Sequence, residues 1–409
     1  MQGPTELPEM LVLDILSKLP AKSLTRFKCV SKSWSSSFQT PYFITQHHQN
    51  QLRNNNLNLL LKRCKGNTFD DICYFSQLST GKVPNFIPKQ NIFFPFVDYV
   101  TSEFRVHGPR NGILCLECEE IISLWNPSTR EFRILPQSSI QRPPSSLDYT
   151  VRTDLGCVGF GYDSQTDDYK VMRFVNNSFY YDGDYGYTIF SHVTAQVDLY
   201  SLNANSWKEI SDPEVIVRYS TMFDNYVNGV CYWLSDTDND NDVFILSFDM
   251  VNEKFSTLPS PELDGGLAQY NLELFNYNGL LGAITYPREG ILDSFDLWVM
   301  SGSWTKQFSI EYVIGAERPL GLWRNGEIFF QKDYELLLFD PSTRELKYLG
   351  VHSYKESIQL ISYVESLVRI NGRSEHEERV VRQTARQPFR SILKMKMKMD
   401  RELKEKCKI

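Results

Sequence analysis

Residues 123–136 read S-L-W-N-P-S-T-R-E-F-R-I-L-P, and residues 337–350 read L-L-F-D-P-S-T-R-E-L-K-Y-L-G. The five residues P-S-T-R-E recur identically from position 127 and from position 341. Each copy reads as an apolar strand, an Asx-Pro turn and a second strand. Asn126 or Asp340 can start a type I turn, with proline at its second position. Four looser copies surround these two. They are residues 73–86 with a turn at Ser79-Thr80-Gly81, 197–210, 245–259, and 297–310 with a turn near Gly302. Upstream of most hairpins a further strand pair is marked by Asn111-Gly112, Asn228-Gly229, Asn278-Gly279 or Asn325-Gly326.

Six hairpins, mostly about 40 to 50 residues apart, read as six four-stranded units, which is the spacing of propeller blades. A propeller has to close its ring, because an open sheet edge invites aggregation. The β-rich stretch at 357–368, S-I-Q-L-I-S-Y-V-E-S-L-V, is therefore predicted to pair with the first unit near residues 57–63. Two packed β-sandwiches are the competing architecture, and the regular spacing speaks against them. The long interval between the second and third units holds two segments read as insertions, 137–154 and 176–187.

In front of this body stands a helical head. A helix is predicted from about Pro8 to Lys18, with proline in its first turn and Pro20 as its stop. At 100° per residue, Leu11, Val12, Ile15, Leu16 and Leu19 share one face, read as the head's own packing face. Met10 and Leu13 fall on the polar side, read as a docking surface beside Leu7-Pro8. A second helix is expected over 22–30, with Leu24, Phe27, Cys29 and Val30. A third starts near Ser31 as its cap and carries Trp34 and Phe38. About forty residues cannot usually bury enough surface to fold alone, so this head needs a partner or the rest of the chain.

The head resembles an F-box. The residues that carry the likeness are Leu7-Pro8, Leu13, Ile15-Leu16, Leu19-Pro20, Leu24, Arg26-Phe27, Cys29-Val30 and Trp34. The resemblance implies contact with the Skp-type adaptor of an SCF ubiquitin ligase, and a cullin through that adaptor. It makes Leu7, Pro8, Met10, Leu13, Leu16, Pro20, Leu24, Cys29, Val30 and Trp34 the candidate adaptor contacts, some of them core residues instead. A helical hairpin packed on the chain's own body is the bland alternative.

The body resembles the F-box-associated domain of plant proteins. The carrying residues are Gly159-Phe160-Gly161-Tyr162-Asp163, Asp168-Tyr169-Lys170-Val171, Val197-Asp198-Leu199-Tyr200-Ser201-Leu202 with Trp207, and Tyr363-Val364-Glu365-Ser366-Leu367. Within that group the chain looks like the S-locus F-box and S-locus F-box-like proteins, which implicate pistil ribonucleases as substrates. The motifs belong to the wider family and do not fix the substrate.

The fold class expected is mainly β with a small α head: a three-helix F-box followed by a β-propeller-like repeat domain of about six blades. The boundaries expected are 1–44 for the F-box, 45–56 for a linker, 57–370 for the substrate-binding domain, and 371–409 for a basic, disordered tail. The substrate is expected at loops on one rim, near Leu147, Asp182 and Asp238.

Composition supports a protein partner. The chain has 409 residues, 42% of them hydrophobic and 13% aromatic, enough for a sizeable core. Its net charge of −7 is uneven: 1–44 carry +2, 371–409 carry +6 and the body between carries −15. Such a body repels nucleic acid and favours basic protein partners, and it is compatible with the ribonucleases that the resemblance implies. No run approaches the roughly 20 apolar residues of a membrane span, and no secretion signal is read, so no membrane role is expected. The scatter of the eight cysteines is read as reduced thiols in the cytoplasm or nucleus. Cys115 and Cys118 form one C-x-x-C, read as strand cysteines because no second pair completes a zinc site.

Catalytic signatures are absent from the sequence. There is no G-x-S-x-G elbow, no phosphate loop and no H-E-x-x-H. His47-His48 reads as surface linker. The acidic run at 236–242 lacks the glycine and terminal glutamate of an EF-hand and reads as a polar hairpin tip. No cofactor, metal or catalytic residue is expected. The leading expectation is a non-catalytic receptor subunit of a ubiquitin ligase, for a pistil ribonuclease or another plant regulatory protein. The alternatives are a propeller enzyme or lectin-like binder, and a scaffold that binds the adaptor without promoting degradation.

Overall fold

The computed structural model describes residues 7–54, 56–65, 72–80, 86–93, 105–118, 121–146, 149–182, 188–211, 213, 215–217, 223–236, 243–264, 266, 269–288, 294–311, 316–323, 326–353, 358–371 and 373–374. The head holds four helices, α1 (Glu9–Ser17), α2 (Ala21–Phe27), α3 (Lys32–Ser37) and α4 (Pro41–Arg53). Pro8 and Pro20 stand just before α1 and α2, where a fixed φ and a missing N–H cost nothing. Ser31 caps α3 by accepting from the Trp34 N–H at 3.4 Å, as read from the sequence, and Thr40 caps α4 by accepting from Phe43 at 3.3 Å.

The fourth helix corrects the expected linker at 45–56 and the expected three-helix count. Its inward residues are Phe43, His47 and Gln51, one helical turn apart. They meet the end of α1 through polar bonds. Gln46 donates to Asp14 Oδ1 at 3.2 Å, Asn50 to Ser17 Oγ at 2.7 Å, and Gln51 to the Leu19 carbonyl at 3.3 Å.

His47 is buried and not a surface residue; its Nε2 lies 3.0 Å from the Leu19 carbonyl, so Nε2 carries the proton. Burial pushes its pKa from 6.5 down to about 4, and burial also lowers that of His48. Between those two pH values the unfolded chain takes up a proton that folded His47 refuses. Its stabilising contribution is therefore complete above about pH 6.5 and is lost as pH falls toward 4. Lowering pH from 7 to 5 should cost about 2 kcal/mol through this residue. Thermal unfolding of the chain and of His47→Gln at both pH values checks it, and a variant with an unchanged pH slope would refute it.

Six sheets follow. Blade 1 holds β1 (Leu57–Lys65), β2 (Ile72–Leu78) and β3 (Pro88–Phe93), with β25 (Gln359–Val364) along its inner edge. Blade 2 holds β4 (Arg105–Arg110), β5 (Ile113–Cys118), β6 (Ile121–Asn126) and β7 (Glu131–Ile134), with β26 (Arg373–Ser374) outermost. Blade 3 is β8 (Tyr149–Asp163), β9 (Asp168–Asp182), β10 (Thr188–Ser201) and β11 (Ser206–Ile210). Blade 4 is β14 (Val230–Asp236), β15 (Val243–Asp249) and β16 (Lys254–Pro259), with β12 (Ile216–Val217) and β13 (Tyr226–Val227) sharing the inner position. Blade 5 is β17 (Tyr270–Tyr277), β18 (Leu280–Pro287), β19 (Ser294–Ser301) and β20 (Ser303–Glu311). Blade 6 is β21 (Arg318–Leu322), β22 (Ile328–Lys332), β23 (Glu335–Asp340) and β24 (Glu345–His352). The predicted closure is present: β25 pairs with β1 from Leu57↔Val364 to Lys62↔Gln359.

The turns follow the chemistry read from the sequence. Asn126, Asp163, Asp249 and Asp340 each accept, through Oδ1, the N–H two residues on. Asn111-Gly112, Asn228-Gly229 and Asn278-Gly279 all have positive φ at both positions, which fits type I′ hairpins. The hairpin predicted at 73–86 has a longer connection than expected, because β3 starts only at Pro88.

Alternate residues along a strand point to opposite sides, so each blade packs against two neighbours. Leu59 and Leu61 join a core with Leu320, Phe329 and Leu338 of blade 6, whereas Leu60 joins one with Leu114, Trp125 and Phe132 of blade 2. Four further cores fill the gaps around the ring. The same alternation separates the C-x-x-C pair: Cys115 faces blade 3 and Cys118 faces blade 1. Neither is in a disulfide, nor are Cys29, Cys157 and Cys231. Cys73 departs from the expectation of reduced thiols, since it is disulfide-bonded; the residue opposite it in the β1–β2 ladder is Cys64. Gly159 and Gly161 sit within β8, where a Cβ would meet Trp233 at 2.6 Å and Met250 at 2.3 Å; they let blades 3 and 4 approach.

Candidate partner-binding surfaces

The head's interior is filled. Leu16, Ala21, Leu24, Phe38 and Phe43 are buried together with Leu367, and Val12, Leu13, Leu19, Phe27, Trp34 and Ile44 pack around them. On the outside of α1, Leu7, Met10, Leu11 and Ile15 are 58, 65, 46 and 49% exposed, and Val30 beyond α2 is 70% exposed. Met10, Leu11 and Ile15 fall within an arc of about 140° on one face of α1, and Leu7 precedes the helix, beside its N-cap Pro8. An exposed apolar stripe on an already packed head is the kind of surface at which proteins dock.

Of the ten candidate contacts, Leu7, Pro8, Met10, Pro20, Cys29 and Val30 are exposed, and Leu13 and Trp34 are half-buried. Leu16 and Leu24 are buried in the head and support the surface from beneath. Leu11 and Ile15, read as core, are outside instead. The apolar arc of α1 is wider than the area covered by α4 and Leu367, and its inward centre lies nearer Leu13, Leu16 and Ser17, which is fully buried. The amphipathic wheel located that arc but not the part of it that is covered.

The head and the strand ends that flank the expected substrate loops lie on opposite faces of the propeller. Val106 near the start of β4 exchanges hydrogen bonds of 3.1 and 2.6 Å with Gln359 at the start of β25. Gly112, just past β4, abuts Ser366, just past β25. The inner strands of blades 1 and 2 therefore run the same way. Their ends, with the Asn-Gly and Asx turns, face the head. In each blade the second strand ends, the third begins and the fourth ends at the far face. All three expected loops adjoin such strand ends. Leu147 and Asp238 themselves lie outside the described residues, as do 237–242, and Asp182 is the last residue of β9.

Two of the expected insertions are corrected. Residues 149–154 and 176–182 are paired strand, from Tyr149↔Tyr181 to Asp154↔Asn176. Strands β8 and β9 have 15 residues each and β10 has 14, against 5 to 8 in β21–β24. At ~3.3 Å per residue, blade 3 thus reaches about 23 Å further than an eight-residue strand. Its other end is anchored at the head face by the Asp163 turn, so the excess forms an arm on the far face. Thr153 donates to Asn177 at 2.8 Å and Asn177 to Gln196 at 3.1 Å, a polar ladder across the arm.

The connection at 137–146 is pinned at the arm's base. Trp207 donates to the Pro136 carbonyl at 2.7 Å, and Arg142 and Arg173 both bind the fully buried Asp198. Burial alone would raise the Asp198 carboxyl, but hydrogen bonds from Arg142 and Arg173 outweigh it and hold the pKa below the usual carboxylate range. Asp198→Ala leaves Arg173 buried without this carboxylate and should cost about 3–5 kcal/mol, read as a lower unfolding midpoint in denaturant. A cost under about 1 kcal/mol would contradict the assignment.

Near the start of β4, Glu117 lies 2.9 Å from His107 Nε2 and 3.4 Å from Arg105. Its carboxylate is thus held by a hydrogen bond with His107 and an ion pair with Arg105. Among the described residues no three His, Cys, Asp or Glu side chains are grouped to hold a metal ion, and no helix is long and apolar enough to cross a membrane.

Known proteins share both parts. A family model for the F-box domain matches residues 5–46, and one for the F-box associated beta propeller domain matches residues 72–359. An F-box/kelch-repeat protein of Arabidopsis thaliana is 25% identical over 389 residues, covering 91% of this chain and 98% of the relative. The F-box protein CPR1 of Arabidopsis thaliana is 26% identical over 378 residues, covering 86% of this chain and 83% of the relative. Among solved structures, a lectin of Aleuria aurantia is similar at a TM-score of 0.39 and 11% identity, covering 72% of this chain and 95% of that one.

Proposed function

We propose, from the premise that this chain belongs to the F-box proteins carrying an F-box associated beta propeller domain, that it is the substrate-receptor subunit of an SCF-type ubiquitin ligase. The observation that carries this reading is the exposed stripe of Leu7, Met10, Leu11 and Ile15 on a head whose interior is already filled. The stripe takes a Skp-type adaptor, and through it a cullin. The far face of the propeller, led by the arm of blade 3, takes the substrate. The chain itself catalyses nothing; it acts by holding substrate and ligase together, so that transfer becomes effectively intramolecular.

The substrate is a protein, and the charge of −15 on the body favours a basic one. Pistil ribonucleases are one such class and other plant regulatory proteins another. The working compartment is the cytoplasm, with access to the nucleus. The test is affinity capture of the full chain with proteasome inhibition. Adaptor and cullin are expected in the eluate together with a protein that a chain lacking the arm (176–193 replaced by a two-residue turn) no longer recovers. Failure to recover any Skp-type adaptor would overturn the reading.

A further inference from the structure

We propose that residues 365–370 are a positioning strap that fixes the head's orientation on the propeller, with Asn126 and Glu365 as the residues that grip it. This rests on the receptor reading above, because orientation matters only if one end holds the ligase and the other the substrate.

After β25 the chain crosses the head face of the propeller and lies between the two bodies. On the propeller side it rests on the Asn126 turn. Asn126 is fully buried and works in both directions. Its Oδ1 accepts from the N–H groups of Ser128 at 2.9 Å and Thr129 at 3.3 Å. Its Nδ2 donates to the carbonyls of Val368 at 2.8 Å and Ser366 at 3.1 Å. Ser128 Oγ accepts from the Ser366 N–H at 3.1 Å, and Arg133 donates to the Ile370 carbonyl at 3.3 Å.

On the head side, the Glu365 carboxylate accepts from the Ala21 N–H at 2.7 Å, and the His48 ring lies 3.3 Å from the Glu365 carbonyl. Leu367 is buried in the core of the head, and Arg369 donates to Gln39 at 3.0 Å. The strap is thus a layer shared by both bodies, bonded to each.

The two P-S-T-R-E copies differ in a way that matches this role. Asp340 makes the same turn in blade 6, accepting from Ser342 at 2.9 Å, and is half-exposed. Asn126 stands where the strap passes. Both side chains can accept, but only the amide can also donate to the strap's carbonyls. Asn126→Asp therefore keeps the turn and removes the grip, setting a carboxylate against two carbonyl oxygens.

The test uses the free full chain with Cys407→Ser, spin-labelled at Cys29 on the head and at Leu280→Cys on blade 5. The parent chain should give one narrow distance distribution. Asn126→Asp should broaden it at least twofold, while Asp340→Asn, the same exchange in reverse at the unstrapped turn, leaves it unchanged. Capture of a recombinant Skp-type adaptor, measured on the unlabelled chains with Cys29 intact, should stay within about twofold for both variants. An Asn126→Asp distribution as narrow as the parent's overturns the proposal. If that variant does not fold, Glu365→Ala decides in the same way. The distance measurement needs no adaptor, so failure of the receptor reading shows separately, as absent capture by the parent chain.

Discussion

A chain carrying Leu11→Asp and Ile15→Asp together is expected to lose capture of a Skp-type adaptor by at least about a hundredfold while keeping its fold. Both side chains are about half exposed, so the folded chain has little to lose beyond the modest helix propensity cost of aspartate. A bound adaptor would bury both positions. Each carboxylate would then be driven into an apolar contact, and anchor residues of this kind cost about 2 kcal/mol or more apiece. Each 1.4 kcal/mol is tenfold in affinity, so two positions exceed a hundredfold. The measurement is quantitative adaptor capture alongside thermal unfolding. Unchanged capture would remove the stripe from the interface. Leu16 and Leu24 are poorer probes, because they are buried and their loss would unfold the head itself.

Ending the chain after residue 358 is the second large effect. It removes β25 and the strap, and with them Ile361 and Tyr363 from the core between blades 1 and 2, and Leu367 from the head. It leaves the edge of β1, from Leu57 to Lys62, without its partner. At about 1.5–3 kcal/mol for each buried large side chain, these three with Val364 and Ile370 account for about 10 kcal/mol. That is comparable with the whole stability of an ordinary domain, about 5–15 kcal/mol. The shortened chain should show no cooperative unfolding and should aggregate through the opened edge. A soluble product that melts cooperatively within a few degrees of the parent would mean that closure is dispensable.

The blades were legible because their signals are local and repeated. A turn opening on Asn126 or Asp340, and pairs such as Asn278-Gly279, set register within a few residues. The closing strand was legible because the ring needed one and 357–368 was the β-rich stretch left over. The fourth helix was hidden for a physical reason: its inward positions include His47 and Gln51, and it docks by hydrogen bonds that no apolar period reports. The blade 3 arm was hidden because Asn176, Asn177 and Ser178 read as loop, although Asn177 is buried within a cross-strand polar ladder. At the candidate adaptor surface, the apolar arc of α1 was readable. Which part of the arc stays open depends on α4 and on Leu367, more than 300 residues downstream in the chain. Glu365 and the donating amide of Asn126 left no local signal either, since their partners are equally distant in sequence.

Closure by β25 also has a consequence in time. The chain is made from its N-terminus, and about 300 residues separate the end of α4 from the start of β25, so at 5–20 residues per second the head waits about 15–60 s for the strand that closes the ring. Throughout that interval Leu367 has not been made and blade 1 lacks its inner strand. A nascent chain thus carries a head whose core still has a gap at the Leu367 position long before the propeller is closed. The order of the strands makes the completed head a late event, reached only when the propeller ring is closed.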